Sequence, residues 1–220
     1  KMTVSIDDFV KTIYNQSILA KPDTKLSTIA RLLNVSNAAA TDMSRKLAVK
    51  GLVDYVKYKP LSLTCNGKRL ALNVIRKHRL WEAFLYKTLN LSLYEIHREA
   101  EKLEHFTSDY LADKIEQYLG NPATDPQGAP IPSLDGCIEY DQSQVLLSEA
   151  EAGGAYEVFR LYSSEKDFFD FCNSNGIAIG AKMWIEKQYP SGKMTELKIE
   201  QSKLLLHEEF ANKIYVKQLN

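Results

Sequence analysis

Apolar residues recur at the spacing of a helix face through roughly the first half of the chain. The first such segment follows Ser5, a suitable helix N-cap, and its apolar positions are Ile6, Phe9, Val10 and Ile13. Asp8 comes three residues after Ser5, so its carboxylate is expected either to close a capping box or to serve a functional role. The pattern predicts one short amphipathic helix.

Two further helices are predicted on either side of a short turn. The second helix has Ser27 or Thr28 as its N-cap, and the third runs from Asn37 to Gly51, where the glycine is a C-terminal stop signal. Two short helices joined by such a turn form a helix-turn-helix.

A β-hairpin wing is predicted after these helices, because residues 52–58 and 61–64 alternate like strands around Lys59-Pro60. Small side chains at the start of the third helix would let it approach base edges in a DNA major groove, and basic residues beyond them suit phosphate contacts. The predicted DNA contacts are Ser27, Ser36, Asn37, Ala38, Ala39, Thr41, Arg45, Lys46 and Lys57. The alternative is an alanine-rich scaffold helix with a solvated basic face.

The middle of the chain predicts long helices followed by a linker. A helix from about Lys68 to Leu89 has more apolar surface than a small domain can cover, so we expect it to pack against a second subunit. Another helix is predicted over 108–119. Four of the seven prolines lie in residues 120–132, which indicates a semi-rigid linker.

The last third of the chain predicts β-structure. Apolar and polar residues alternate over 156–161, 183–186, 196–199 and 214–217, with glycines and a proline supplying bends between them. One short helix is predicted over 165–173. The economical interpretation is a small, mostly antiparallel β-barrel.

The net charge of zero conceals an asymmetry between the two parts of the chain. Residues 1–90 contain 16 Lys and Arg against 6 Asp and Glu, whereas residues 91–220 contain 12 against 22. This pattern is expected when one part binds nucleic acid and another collects cations. Because no apolar run is long enough to span a membrane and no signal-peptide pattern is present, we expect a cytoplasmic protein without a membrane partner.

The segment from His97 to His105 is the richest in candidate metal ligands. If it is helical throughout, His97, Glu101, Glu104 and His105 project from one face. Imidazole and carboxylate groups without a thiol suit manganese, iron, cobalt or zinc. The alternative is a solvated polar stripe.

Few features suggest an enzyme. Cys65, Cys137 and Cys172 are widely spaced, form no CxxC motif, and are expected to be reduced and buried. No constellation for nucleophilic catalysis can be named, so we expect neither enzyme activity nor a small organic substrate. A carboxylate/His metalloenzyme is the remaining enzymatic alternative, but ferritin-like di-iron sites use two Glu-x-x-His repeats, which this chain lacks.

The order of these features closely resembles the DtxR/MntR family of metal-dependent repressors. The resemblance rests on the winged helix, Arg76-Lys77-His78-Arg79-Leu80, the Glu-x-x-Glu-His of the His97–His105 segment, Gly120-Asn121-Pro122 and Pro130-Ile131-Pro132. It covers the whole chain. The implied fold is mainly α with β: a winged helix-turn-helix domain (1–72), a helical dimerisation and metal-binding domain (73–121), a Pro-rich linker (122–136) and an SH3-like (FeoA-like) small β-barrel (137–220).

The resemblance also implies two metal sites. The family's principal site maps onto Asp8, His78, Glu101, Glu104 and His105. An ancillary site of the iron-type members maps onto His78, Glu82, His97 and Glu165 of the SH3-like domain. Which of the two sites takes His78 differs between branches of the family.

Departures from the family pattern bear on the choice of metal. Iron-type members have Met and Cys ligands where this chain has Asp8 and Glu101, which favours Mn²⁺ over Fe²⁺, although other divalent first-row metals can substitute. Lys11 stands where manganese-type members have Glu and cannot ligate while protonated, which argues against a two-manganese cluster. Phe168 stands where iron-type members have Gln, so the ancillary shell is incomplete.

The implied function is a metal-activated homodimeric repressor that binds a palindromic double-stranded DNA operator and controls metal-uptake genes. The alternative is a winged-helix transcription regulator that responds to a non-metal ligand.

Overall fold

The computed structural model of the chain describes residues 5–19 and 21–219. These residues form two compact units, each assembled from several stretches of the chain. The first contains the described residues up to His78 together with 104–107 and 132–138, and the second contains 79–103, 108–131 and 139–219. This division differs from the predicted domain boundaries, which stay predictions.

The first unit contains the helix-turn-helix and the wing. Its elements are helices α1 (Ile6–Ser17), α2 (Leu26–Leu32) and α3 (Asn37–Val49), strands β1 (Val53–Asp54) and β2 (Ser62–Leu63), and the start of helix α4 (Cys65–Leu89). Apolar side chains from these elements meet in one core that includes Phe9, Ile13, Ile29, Leu47 and Leu72. The winged helix-turn-helix is therefore confirmed, although its strands are shorter than the alternating runs that predict them.

Local sequence signals position most of these helix ends. Ser36 is the N-cap of α3, where its Oγ accepts a hydrogen bond from the backbone N of Ala39 at 3.1 Å. The α2 cap predicted at Ser27 or Thr28 is wrong, because the helix begins after Lys25 and the Thr28 hydroxyl donates to Asp23 Oδ2 at 2.7 Å.

The second unit contains the rest of α4 and two further helices. These are α5 (Leu93–Leu103) and α6 (Asp109–Leu119), and Ser108 caps α6. Leu80 of α4 packs with Ala112 and Ile115 of α6 in a small core. A 3₁₀ turn at Glu104–Phe106 follows α5 and belongs to the first unit.

The C-terminal part of the second unit is an antiparallel sheet with a dense apolar core. Its elements are β3 (Val145–Leu146), β4 (Ala155–Leu161), α7 (Lys166–Ser174), β5 (Lys182–Tyr189), β6 (Met194–Ile199), β7 (Ser202–His207), α8 (Glu208–Ala211) and β8 (Ile214–Gln218). The strand order is β3-β8-β4-β5-β6-β7, with register shifts in the β4·β8 and β5·β6 pairings, where bulges bend strands. Its end strands do not pair with each other in the described part of the chain. All four predicted strands and the short helix are confirmed.

The Pro-rich segment is more ordered than a spacer. Thr124 pairs with Pro130 in an isolated bridge, and the backbone N of Leu161 on β4 donates to Gln127 O at 2.8 Å. At Gly128, where φ is +83°, an added Cβ would lie 2.1 Å from Phe159 O. The loop is therefore held against β4, within the second unit.

Among the described residues, no helix has both the length and the apolar character needed to span a membrane.

The three cysteines are free thiols in different surroundings. Cys172 is buried in the core of the sheet, as predicted, and burial raises the pKa of its thiol to about 12. Cys65 and Cys137 are exposed, so the prediction that all three are buried is wrong for these two. Spacing alone indicates the absence of a disulfide pattern but not the depth of a side chain.

We expect a thiol reagent to modify two cysteines in the native protein and three after unfolding. A pKa of about 12 leaves roughly one Cys172 thiol in ten thousand ionised at pH 8, and the thiolate is the reactive form. Mass spectrometry after timed alkylation measures the modification, and Cys172→Ala is the control. Rapid native modification of Cys172 would contradict the burial described.

Candidate metal centre

Asp8 uses its two carboxylate oxygens for different purposes. Oδ2 accepts hydrogen bonds from Ser5 N at 3.2 Å and Ser5 Oγ at 2.9 Å, and Ser5 Oγ accepts from Asp8 N, which completes the capping box at the start of α1. The other oxygen, Oδ1, lies 3.1 Å from His105 Nε2. The capping-box interpretation is confirmed, and it leaves one oxygen directed to His105.

Glu104 is the buried anion of the site, with its side chain fully removed from solvent. Lys11 Nζ donates to its Oε1 at 2.7 Å and to its Oε2 at 2.9 Å, and His78 Nδ1 lies 2.5 Å from Oε2. Burial alone would raise the pKa of Glu104, but the hydrogen bond with His78 and the charge of Lys11 outweigh it and hold the pKa below its ordinary value. Glu104 is therefore an anion at neutral pH.

His105 lies beside Asp8 and Glu104, and these three residues form a cluster that fits a divalent metal ion. Its Nε2 lies 3.1 Å from Asp8 and 3.7 Å from Glu104 Oε1, and its Nδ1 is buried without a hydrogen-bond partner among the described residues. Asp8, Glu104 and His105 each offer one ligand atom, and these three atoms lie within 4.8 Å of one another. Two carboxylates and an imidazole are a donor set for manganese, iron or zinc.

The His97–His105 segment is not one continuous α-helix. Helix α5 ends at Leu103, and a 3₁₀ turn carries Glu104 and His105. The single ligand face was predicted for a segment that is α-helical throughout, and that condition fails at Glu104 and His105. Glu101 is half exposed, and its carboxylate lies 3.8 Å from His97 Nε2.

His97 and Glu82 meet in the second unit. His97 Nδ1 lies 3.0 Å from Glu82 Oε1, to which Gln127 Nε2 also donates at 3.2 Å. Glu82 is buried. His78 lies one turn before Glu82 on α4, and its Nδ1 lies 2.5 Å from Glu104 Oε2; its assignment to either predicted site stays a prediction. Glu165 precedes α7 and forms an ion pair with Lys213, so its role as a ligand stays a prediction.

Three family models together match nearly the whole chain. Residues 1–61 match the model for the iron dependent repressor N-terminal DNA binding domain, residues 64–133 the iron dependent repressor metal binding and dimerisation domain, and residues 145–218 the FeoA domain. The diphtheria toxin repressor of Corynebacterium efficiens is 33% identical over 164 residues, which cover 70% of this chain and 71% of that protein. The chain belongs to the DtxR/MntR family of metal-dependent transcriptional repressors.

Other relatives agree with this assignment. The iron-dependent repressor IdeR of Mycobacterium tuberculosis is 28% identical over 205 residues, or 87% of each chain. A solved structure described as a manganese-dependent transcriptional repressor in complex with manganese matches with a TM-score of 0.91 and 30% identity, covering 98% of this chain and 100% of that one. The family consists of repressors rather than enzymes, which removes the metalloenzyme alternative, and its metal dependence decides against regulation by a non-metal ligand.

The predicted DNA-contact residues of this repressor are accessible. Ser27, Ser36, Asn37, Ala38, Ala39, Arg45, Lys46 and Lys57 are exposed, and Thr41 is half-buried. Lys46 Nζ lies 2.9 Å from Asp42, and Lys57 lies 4.8 Å from the ring of Tyr58 at the wing tip. Their individual contacts with DNA stay predictions.

Sequence reasoning missed two polar residues next to Glu82 in this repressor. Gln127 contacts Glu82 directly, and Asp125 is buried beside Gln127 with its Oδ1 accepting from the backbone N of Gln127 at 2.8 Å. Burial and the charge of Glu82 raise the pKa of Asp125 to about 7. The signal in the sequence is Asp-Pro-Gln-Gly, whose turn residues suggest only a linker.

Proposed function

We propose that this repressor is activated by Mn²⁺, binds a palindromic double-stranded operator as a homodimer and controls metal-uptake genes. The observation that carries the proposal is the convergence of Asp8, Glu104 and His105 within 4.8 Å. Oxygen donors from two carboxylates with one imidazole, and no sulfur donor among the three, favour Mn²⁺ or Fe²⁺ over softer metals. A bound ion would supply a positive charge shared by these donors.

The positions of the donors in the chain explain how they would affect the DNA-binding helices. Asp8 is followed on α1 by Phe9 and Val10, which are buried in the same core as Leu47 of α3. Glu104 and His105 lie on the 3₁₀ turn after α5. A metal ion bound by donors from α1 and from this turn would fix the position of α1. The apolar core connects α1 to α3, the helix predicted to contact DNA.

Activation requires that the ligand set favour one arrangement of the helices over another, because only differential affinity shifts a conformational equilibrium. A coupling free energy of about 1–3 kcal/mol would change DNA affinity about 5–150-fold.

Glu82 and His97 are proposed as ancillary ligands, with Gln127 beside Glu82 at 3.2 Å.

Lys11 supports a principal cluster with a single ion. Its ammonium already donates to both oxygens of Glu104, at 2.7 and 2.9 Å, and supplies positive charge where another cation would otherwise interact. Because it competes with a metal ion for the same carboxylate, Lys11→Met is expected to increase Mn²⁺ affinity roughly tenfold. Isothermal titration calorimetry measures the change.

The matched control is Lys166→Met, which removes a lysine paired with Asp170 on α7. Its Mn²⁺ affinity should equal that of the wild type. An unchanged or weaker affinity in Lys11→Met would show that the lysine does not compete for Glu104.

Exposed apolar side chains on α4 and α6 support the homodimer. They are Tyr86, Leu89, Tyr110, Leu111 and Tyr118. An apolar patch of this kind on two neighbouring helices is typical of a protein interface. Within this patch, Tyr118 packs on Phe84 with ring centroids 5.7 Å apart, a contact that fixes the position of the Tyr118 ring.

We expect Leu89→Asp combined with Tyr118→Asp to raise the dimer dissociation constant at least about 30-fold, because both changes place charge in an apolar contact. Sedimentation equilibrium measures the constant. Leu134→Asp changes an equally exposed leucine outside these helices and should remain dimeric. Dimerisation unaffected by the double substitution would locate the interface elsewhere.

The metal and operator are tested by DNA-binding titrations with Mn²⁺ and with Fe²⁺ under anaerobic conditions. The proposal expects half-maximal binding at lower free Mn²⁺ than Fe²⁺, and tighter binding to a palindrome than to either half-site alone. Stronger activation by Fe²⁺ would reassign the metal.

A further inference from the structure

Arg160 on β4 is a buried cation for which the described residues supply no anionic partner. Arg160 is only 6% exposed, and its Nε is buried with no hydrogen-bond partner in the part of the chain that the structure describes. Among residues 5–19 and 21–219, no carboxylate lies within salt-bridge distance of the guanidinium. Three tyrosine rings surround it instead, with centroids 5.1 Å (Tyr162), 5.2 Å (Tyr215) and 5.8 Å (Tyr140) from the guanidinium carbon.

This arrangement leaves the strong Nε–H donor of Arg160 without an acceptor among the described residues. A guanidinium has five N–H donors, and a buried charge is costly unless it is paired and hydrogen-bonded. Aromatic faces attract the cation, but they do not replace hydrogen-bond acceptors for its N–H groups. Arg79 shows the contrast, since it donates to Pro130 O and lies 3.7 Å from Asp125.

A second donor in the same cluster is also unsatisfied. The hydroxyl of Tyr140 is buried and has no hydrogen-bond partner among the described residues. Burial raises the pKa of Tyr162, and the charges that oppose this rise belong to Arg160 and Arg79. Two positive charges therefore act on Tyr162.

We propose that Arg160 and the Tyr140 hydroxyl form a binding site for a small oxoanion, a carboxylate or a phosphate, in the FeoA-like domain. The edge of the guanidinium offers two parallel N–H donors, the geometry that matches two oxygens of one anion. Because Arg160 is buried, hydrogen bonds to the anion would be strengthened by the low local dielectric. The 6% exposure of Arg160 favours a small anion over a segment of another protein. Neither Arg160 nor Tyr140 is among the proposed metal ligands.

The test follows the Nε–H resonance of Arg160 in the ¹⁵N-labelled full chain, kept metal-free. Arg160→Lys assigns this resonance by its loss and preserves the positive charge, which protects the fold. Sodium phosphate and sodium acetate are titrated separately against sodium chloride at equal ionic strength. We expect one or both oxoanions to move the resonance with saturation, and chloride to leave it unmoved; the stronger response distinguishes phosphate from carboxylate.

Tyr140→Phe provides the second measurement. It removes only the hydroxyl and should weaken oxoanion binding roughly tenfold, because a hydrogen bond to an anion is lost. Phosphate bound on the basic DNA-binding surface would not move the Arg160 resonance. The proposal is overturned if neither oxoanion moves the resonance at tens of millimolar, if chloride moves it equally, or if Tyr140→Phe binds as tightly as the wild type.

Discussion

His105→Ala is expected to abolish metal-stimulated DNA binding while the protein remains folded. The substitution removes the one nitrogen donor of the Asp8–Glu104–His105 cluster, and changes even to groups that only support metal ligands cost about 10–100-fold in affinity. We expect loss of a ligand to cost at least about 100-fold in Mn²⁺ affinity. Fluorescence anisotropy with labelled operator DNA over a range of Mn²⁺ concentrations measures the effect.

His105 is a better site for this test than Glu104. The imidazole is 24% exposed, and the polar groups near it are the carboxylates of Asp7, Asp8 and Glu104. Removal of Glu104 would instead take away a buried partner of Lys11, and breaking a buried pair costs about 3–5 kcal/mol of folding free energy. Loss of DNA binding in a Glu104 variant could then reflect unfolding.

The matched control for the first prediction is His207→Asn. His207 is exposed, and it caps α8 by accepting from Glu209 N at 3.2 Å, a role that asparagine also performs well. This variant loses an imidazole without losing the cap. It should respond to Mn²⁺ like the wild type, and a full metal response in His105→Ala would contradict the assigned cluster.

Gly67→Ala is expected to destabilise the protein by about 3 kcal/mol, although alanine normally favours a helix by about 1 kcal/mol relative to glycine. An added Cβ at Gly67 of α4 would lie 1.9 Å from Leu52 O and 2.9 Å from Leu52 C. The same carbonyl accepts from Thr64 N at 3.1 Å. The methyl group must therefore displace the backbone that leads into the wing.

Denaturant unfolding of the metal-free protein measures this change. Gly192→Ala is the control, since its added Cβ would meet only Met194 Cγ at 3.8 Å, an ordinary contact. We expect the control to unfold within about 0.5 kcal/mol of the wild type. Equal or greater stability of Gly67→Ala would mean that the wing and α4 do not approach as closely as described.

Local signals in the sequence account for the elements that depend on neighbouring residues. The Ser5 cap and the spacing of Phe9 and Ile13 correctly predict α1, and the predicted start of α3 at Asn37 is confirmed. Such patterns succeed because a cap or an amphipathic face is determined within a few residues. Four strands of the sheet (β4, β5, β6 and β8) follow from alternation for the same reason, whereas β3 and β7 were not predicted.

The candidate site was less accessible from the sequence because its contacts are distant along the chain. Lys11 and Glu104 are 93 residues apart, and no local pattern indicates that the lysine donates to both oxygens of the carboxylate. The end of α5 at Leu103 likewise separates Glu104 and His105 from Glu101. Gln127 lies in a turn-rich loop whose position depends on its contact with β4.

The most direct test of metal-dependent repression is the anisotropy of labelled operator DNA, measured with the purified wild-type repressor as Mn²⁺ is added and then removed with EDTA. We expect weak binding without metal, an increase of about 5–150-fold in affinity with Mn²⁺, and full reversal by EDTA. Equal operator affinity with Mn²⁺ and with EDTA would contradict it.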